Sequence, residues 1–272
     1  MYFAPEERLR KCHYIDEILR SVQEEGDHET GTLLRELILK HIVSTGNKNL
    51  AGYERLKQEC LARRGDISIL SLNYDTFLNE RRPGPTFDYR MSFDWQHRHR
   101  INYSRGKDIT LLKLNGSLDW AECSSGHLGL LHYVVRDSTF SGGRCGFQDC
   151  RGRIEPLIWT AHTSYSSRLT PLWNHAGELL EEAQKVIVIG YSFPDYDKRM
   201  IELFRDRLRE DAHLEIIDMK TVDESVETAR NRIRGRYQQL FPAHSQSQFI
   251  AHTSGISEYL LGHRVEREWN HS

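Results

Sequence analysis

Short apolar runs alternate with helical patterns along most of this chain. Five such runs end in polar residues: Ile67–Leu72, Ile109–Leu114, Val186–Ile189, Leu214–Ile217 and Gln248–Ala251. Runs of this length predict buried β-strands. Apolar residues at three- and four-residue steps predict helices that alternate with the last three strands: Leu172–Ala183, Met200–Leu208 and Val222–Leu240. The alternation of strands and helices predicts an α/β fold with a parallel, doubly wound sheet.

The amino-terminal part and two internal stretches depart from this alternation. Residues 1–60 follow helical spacing, with apolar stripes over Leu9–Val22 and Leu33–Ile42. Residues 81–105 look like a long excursion, and residues 122–154 look like a small cysteine-containing insert with little core of its own. We expect one single α/β domain over residues 1–272. An insert of that size usually needs a disulfide or a bound metal to stabilise it, so we expect such a link within residues 122–154.

Composition and charge exclude several classes of protein. Of the 272 residues, 38% are hydrophobic, yet no apolar run approaches the roughly 18 residues that a membrane span needs. The amino terminus lacks the apolar stretch of a secretory signal, so we expect a cytoplasmic protein. The net charge of −2 argues against nucleic-acid binding by bulk charge, and leaves only local contacts such as Arg98 and Arg100.

The insert carries a candidate metal site. Three of the five cysteines lie between positions 123 and 150, and cytoplasmic cysteines are more often thiols or metal ligands than disulfides. Thiolate and imidazole ligands suit zinc, so Cys123, His127, Cys145 and Cys150 form a candidate tetrahedral Cys₃His site. His132 is an alternative fourth ligand, and free thiols in a loop are an alternative to any metal.

Small polar residues follow four of the predicted strands. In open α/β sheets, ligands bind outside the carboxyl ends of the strands, where such residues could hold sugar hydroxyls and phosphates. The same residue types also form ordinary turns and helix caps, which is the alternative for each one. The candidates are Asn73, Tyr74 and Asp75; Asn115, Gly116 and Ser117; Gly190, Tyr191 and Ser192; and Asp218.

Three segments in this order resemble a known family: Ser71–Asp75, Lys113–Trp120, and Val186–Pro194 with Asp197. They are similar to the sirtuin-like domains of bacterial anti-phage proteins, which are relatives of the sirtuin deacylases. The resemblance runs from about Ile67 to the carboxyl end. It implies a Rossmann-like sheet that binds NAD, and hydrolysis of NAD to nicotinamide and ADP-ribose during infection.

The resemblance also implies roles for individual residues. Asn73 would lie at the nicotinamide ribose and orient the attacking water, with Asp75 nearby. Gly190 would allow close approach to the adenosine half, and Asp218 would accept hydrogen bonds from the adenosine ribose. The full implied cofactor-binding set is Asn73, Asp75, Ser117, Gly190, Tyr191, Ser192 and Asp218.

Asn115 is one departure from the family pattern. The family usually has a histidine there, which is the expected base, whereas an amide cannot accept a proton near neutral pH. The loss of a general base costs about 10²- to 10⁴-fold in rate. His162 is a candidate substitute, so the implied catalytic set is Asn73, Asp75, Asn115 and His162.

The second departure is the missing glycine-rich strand and turn that would cradle the pyrophosphate. In the family, this strand lies between the strand bearing Asn73 and the strand bearing Gly190. Either these two strands pair directly, or Met1 is an internal start and a longer product supplies the strand; we favour the second. NAD hydrolysis is the first expected function, a nucleotide-binding sensor or scaffold without catalysis the second, and protein deacylation the third. NAD, other defence proteins and further copies of the chain are the expected partners.

Overall fold

The structure is a computed structural model, and it describes residues 50–63, 66–74, 78, 87–96, 109–130, 144–158, 167–221, 223–256 and 258–260. The helices predicted over Leu9–Val22 and Leu33–Ile42 lie outside these residues. Among the helices that are described, none is both long enough and apolar enough to cross a membrane.

The described residues form four α-helices and ten strands. The helices are α1 (Leu50–Ala62), α2 (Thr170–Glu182), α3 (Lys198–Arg207) and α4 (Val226–Leu240). The strands are β1 (Ser68–Ser71), β2 (Phe87–Asp88), β3 (Trp95–Gln96), β4 (Ile109–Lys113), β5 (Gly116–Cys123), β6 (Leu128–Leu130), β7 (Ile154–Ile158), β8 (Lys185–Ile189), β9 (His213–Ile217) and β10 (Phe249–His252).

The chain divides into two compact units. The first contains the strands within Arg64–Leu172, and the second contains Ala51–Arg63 and the chain from Trp173 onward. In the first unit, β4 lies between β1 and β2 and runs parallel to both. Leu111, Leu112 and Leu114 are at most 1% exposed, which explains why this segment is rich in apolar residues.

A second sheet of the first unit, in the order β3–β6–β5–β7, contains the cysteine insert. Strand β5 runs antiparallel to both β6 and β7. It begins at Gly116, where φ is +83° and where a Cβ would lie 2.0 Å from the carbonyl oxygen of Leu157. Only glycine fits this approach of two backbones. Trp120 is fully buried in β5, where the rings of Tyr89 and Phe93 contact it edge-on.

The insert has a small core of four buried residues. Ala121 and Cys123 from β5 pack with Cys145 and with Ile154 of β7, and all four are buried. The half-buried Cys150 packs against this cluster. The three thiols of the insert therefore belong to, or pack against, its small apolar core.

The second unit is built on the parallel sheet β10–β9–β8. Helix α3 buries Met200, Ile201 and Phe204, and α4 buries Ala229, Ile233, Tyr237 and Leu240. Phe193 is fully buried at the centre of an aromatic cluster, with edge-on contacts to Phe204, Tyr237 and Phe241. Asp197 and Ser225 cap α3 and α4, each by accepting a backbone N–H from the first turn.

One carboxylate is buried in the β10–β9–β8 sheet of the second unit. Glu215 of β9 is 8% exposed and pairs with Lys185 of β8 at 2.5 Å. The Tyr259 hydroxyl donates to its other oxygen, and His252 of β10 lies 3.8 Å from that oxygen. Burial raises the pKa of Glu215, but the ion pair with Lys185 and the Tyr259 hydrogen bond outweigh it and hold the pKa below its ordinary value.

The prediction of an α/β fold with parallel strands flanked by helices, and with a small insert, is confirmed. Within the described residues, the strands form two all-parallel sheets of three and one mixed sheet of four rather than one continuous sheet. The last long helix begins at Val226, later than its apolar pattern predicts, because Ser225 caps it there.

Candidate functional site

Four potential metal ligands converge in the insert. Cys123 ends β5, His127 follows it after a tight turn, and Cys145 and Cys150 lie in the segment that leads into β7. One atom from each of the four, three sulfurs and a ring nitrogen, lie within 4.8 Å of one another. The structure therefore brings together the four residues that the sequence singled out for zinc.

The separations fit a tetrahedral zinc site. Zinc–sulfur bonds of about 2.3 Å and zinc–nitrogen bonds of about 2.0 Å place two sulfurs about 3.8 Å apart, and a sulfur and a nitrogen about 3.5 Å apart. His127 Nδ1 lies 3.4 Å from Cys123 Sγ and 3.7 Å from Cys145 Sγ, and Cys123 Sγ lies 3.9 Å from Cys150 Sγ. These three edges match the tetrahedron to within a few tenths of an ångström, the other three are at most 4.8 Å, and the donor set is the one zinc prefers.

Backbone amides point at each of the three sulfurs. The N–H groups of Ser125 and His127 donate to Cys123 Sγ at 3.3 and 3.4 Å. Phe147 N–H donates to Cys145 Sγ, and Gly152 N–H donates to Cys150 Sγ, both at 3.4 Å. Amide donors of this kind stabilise thiolates, the form in which cysteine binds metal.

Two of the thiols differ in acidity. The Gly152 N–H and the Ser125 side chain lower the pKa of Cys150 to about 6, so its thiol is ionised at neutral pH. Burial raises the pKa of Cys145 to about 11. Metal coordination requires thiolates, so this second thiol has to lose its proton when a metal binds.

The turn that presents His127 is fixed from both sides. Gly126 adopts φ +83°, and its N–H donates to the Cys123 carbonyl at 2.8 Å. The Arg168 guanidinium donates to the Gly126 carbonyl at 2.5 Å and pairs with Glu122. These contacts set where the His127 ring lies relative to the sulfurs.

Two further residues shape the site. The Phe147 ring stacks on the His127 imidazole, with centroids 4.1 Å apart and planes 19° apart. A side chain at Gly152 would be crowded, because its Cβ would lie 3.0 Å from Ser124 Oγ and 3.3 Å from Cys123 Sγ. Neither residue was predicted from the sequence, although an aromatic residue and a glycine next to paired cysteines are visible signals.

In the first unit, hydrogen bonds connect the residues that follow β1 with those at and after the end of β4. Asn115 is 7% exposed, and its amide nitrogen donates to the Leu72 carbonyl at 3.3 Å. The buried Ser117 hydroxyl and the buried Lys113 ammonium both donate to the Tyr74 carbonyl at 3.4 Å. Asn73 is exposed, and its N–H donates to Ser71 Oγ at 3.3 Å. Asn115 and Ser117 thus fix the backbone on either side of Asn73.

In the second unit, the residues after β8 and β9 lie side by side. Gly190 N–H donates to the Ile217 carbonyl at 2.8 Å, so Gly190 borders the residue before Asp218. Gly190 adopts φ +63°, and no heavy atom lies within 4 Å of where its Cβ would be. Gly190 and Ser192 are exposed, whereas Tyr191 is half-buried.

Two side chains of this strand-end set, those of Tyr191 and Asp218, have partners. The Tyr191 hydroxyl donates to Asp197, and burial and that carboxylate raise the Tyr191 pKa above its ordinary range. Asp218 Oδ1 accepts the Met219 N–H at 2.8 Å, and Asp218 Oδ2 lies 4.0 Å from Arg232. Two other predicted site residues, Asp75 and His162, lie outside the described residues, as does His132.

No protein-family model and no curated protein matches this sequence. Several solved structures resemble it at low identity. A complex of Sir2 with EX-527, 2′-O-acetyl-ADP-ribose and a deacetylated p53 peptide is 16% identical, with a TM-score of 0.44 over 82% of this chain and 73% of the other. A complex of Sir2 with a p53 peptide and NAD⁺ has the same identity and TM-score, over 82% and 71%. A sirtuin structure concerned with substrate affinity gives 0.45 at 16% identity, over 82% and 73%. At these values, the function has to be argued from the residues of this chain.

Proposed function

We propose that this chain binds NAD and hydrolyses it to nicotinamide and ADP-ribose, and that the Cys₃His site holds a structural zinc. One observation carries the nucleotide part of the proposal. The hydrogen bond from Gly190 to Ile217 joins the carboxyl ends of β8 and β9, so that Gly190, Ser192 and Asp218 share one strand-end edge. That edge is where open α/β sheets bind nucleotides.

The backbone at Gly190 supports close approach of a ligand. Open space lies where its side chain would be, and its positive φ is a conformation that residues with a Cβ rarely adopt. The exposed Ser192 supplies a hydroxyl two residues on. A sugar or phosphate group could therefore reach backbone atoms that other residues would cover.

Asp218 supports recognition of the adenosine ribose. Its side chain is half-buried next to Gly190's strand end, and one oxygen accepts a backbone N–H while the other lies 4.0 Å from Arg232. A carboxylate after a parallel strand can accept hydrogen bonds from both hydroxyls of a ribose. We assign this role to Asp218.

The chemical step is assigned to the exposed Asn73, and Asp75, two residues later in the sequence, is assigned to the same centre. The bond between the nicotinamide nitrogen and the ribose C1′ breaks, and its electron pair stays with nicotinamide. A water oxygen bonds to C1′, and the water releases one proton to solvent. Asn73 would orient this water. Zinc would not take part, since four protein ligands close its coordination sphere.

A second candidate function is nucleotide binding without catalysis. Asn115 favours it: this amide occupies the position of the expected base, is buried, and is engaged with the Leu72 carbonyl. An amide in that position cannot take a proton from a ribose hydroxyl or from water. In this case the chain would act as a sensor or scaffold that responds to NAD or a related nucleotide.

Calorimetric titration with NAD and with ADP-ribose, together with an assay of nicotinamide release, tests both functions. Asp218→Asn should weaken binding of both ligands by about tenfold, because a hydrogen bond to a charged group is lost. Asp223→Asn, at an exposed aspartate outside the strand end, is the matched control and should change neither. Asn73→Ala should abolish turnover and retain ADP-ribose binding.

The outcomes separate the two functions. Binding without turnover, with turnover gained by Asn115→His, supports the sensor or scaffold. If the zinc-loaded chain shows no binding and no turnover, both proposals are removed. A bacterial anti-phage role further predicts that expression of the active chain lowers the NAD content of bacterial cells, and that Asn73→Ala does not.

A further inference from the structure

The Cys145–Cys150 loop and its flanks carry an exposed basic surface. Residues 144–153 contain three arginines, Arg144, Arg151 and Arg153, and one acidic residue, Asp149. All three arginines are exposed, and none of them forms an ion pair with another described residue. This local excess of positive charge contrasts with the net charge of −2 of the whole chain.

Two of these arginines face each other directly. Arg144 and Arg153 form an antiparallel bridge, flanked by a hydrogen bond from Cys145 N–H to the Gly152 carbonyl at 3.0 Å. Side chains paired in this way leave the same face with their Cβ atoms about 5 Å apart, and like charges there repel each other. An anion bound between the two guanidinium groups would relieve the repulsion, and phosphate matches their planar donor geometry.

An aromatic ring stands in the same loop. Phe147 is 40% exposed although it stacks on His127, so part of its surface remains open to a second flat partner. The loop that carries it is held by the N–H···S hydrogen bonds of Phe147 and Gly152. The ring and the backbone that carries the arginines are therefore held in place, which lowers the entropic cost of binding a ligand.

We propose that Arg144, Phe147, Arg151 and Arg153 form a binding surface for single-stranded nucleic acid. Arginines contact the phosphates, and Phe147 stacks on an unpaired base. Single strands fit better than duplexes, because their bases are free to stack. An acidic protein segment would satisfy the arginines but would leave the exposed ring without a role. The surface is local, and it does not depend on NAD binding.

Fluorescence anisotropy with a fluorescein-labelled single strand of about 12 nucleotides, as RNA and as DNA, tests the proposal on the zinc-loaded full chain. The double variant Arg144→Gln, Arg153→Gln should weaken binding by about tenfold. The slope of log affinity against log salt should fall by about 1.4, the value for two phosphate contacts on a single strand. Phe147→Leu should weaken binding by about tenfold and leave the slope unchanged.

The matched control is Lys198→Gln, Arg230→Gln, which removes two exposed charges from the second unit. It should retain wild-type affinity and slope. Zinc content and thermal midpoint, measured for every variant, should equal those of the wild type. No binding at low salt, or equal losses in the control, would overturn the proposal. Competition by polyglutamate as strong as that by the unlabelled oligonucleotide would assign the surface to an acidic protein partner and would also overturn it.

Discussion

The metal centre makes the sharpest quantitative prediction. Replacing Cys123 by alanine removes the sulfur that lies 3.4 Å from His127 Nδ1 and 3.9 Å from Cys150 Sγ. It also leaves the N–H groups of Ser125 and His127 without their acceptor. We expect wild-type chain grown with zinc to contain one zinc per molecule, and Cys123→Ala to contain none.

The stabilising effect of the metal follows from mass action. When free zinc is about 1,000 times its dissociation constant, binding stabilises the folded chain by about 4.1 kcal/mol. For a chain of this size, each kcal/mol shifts the thermal midpoint by about 2–4 °C. A strong chelator should therefore lower the midpoint of the wild type by about 8–16 °C and leave that of Cys123→Ala unchanged.

Cys60→Ala is the matched control for this experiment. Cys60 is 1% exposed in α1, and burial raises the pKa of its thiol to about 11, but it is not among the four clustered ligands. Its substitution should lower stability through lost packing and should leave the zinc content and the chelator effect intact. The zinc assignment is refuted if mass spectrometry finds no zinc in the folded wild-type chain. It is also refuted if the chelator leaves the thermal midpoint of the wild type unchanged.

Four further substitutions test features of the fold. Gly152→Ala should lower zinc affinity by about tenfold, because the alanine Cβ would crowd Cys123 Sγ. Competition with a chelator measures this affinity, and an unchanged value would mean that the backbone at residue 152 shifts freely. Glu215 has a lowered pKa, so its ion pair stabilises the fold above pH 4.5 and is lost as the pH falls through the folded pKa. Urea unfolding between about pH 3 and pH 6 should therefore show a flatter pH dependence for Glu215→Gln than for the wild type. Asp197→Ala should lower the free energy of unfolding by about 2 kcal/mol, because Asp197 caps a helix and also accepts the Tyr191 hydroxyl. Ser225→Ala removes a helix cap and should lower it by about 1 kcal/mol. Equal losses in the two variants would contradict this difference.

The parallel strands could be predicted from the sequence because their signal is local. A strand buried on both faces is rich in apolar residues, as in Ile109–Lys113 and His213–Ile217, and its ends are marked by polar turns. The predicted bounds differ from the observed ones by a residue or so. The helices that follow carry an equally local stripe of apolar residues.

The strands of the insert could not be predicted in this way. Strand β5 pairs with β7, so that Cys123 lies opposite Ile154 although 30 residues separate them in the chain. Nothing near Cys123 in the sequence signals that partner. The ligand set was nevertheless predictable, because thiols and imidazoles are rare enough for their spacing to be informative. The turn roles of Asn115 and Ser117 became visible only when their acceptors, the Leu72 and Tyr74 carbonyls, were placed.

The four ligands lie on both sides of residues 131–143, with Cys123 and His127 before that segment and Cys145 and Cys150 after it. Both ends of the segment are therefore clamped at one point. Any folded state that holds the metal must bring these two distant parts of the chain together, and the entropy lost in doing so grows only with the logarithm of the number of residues between them.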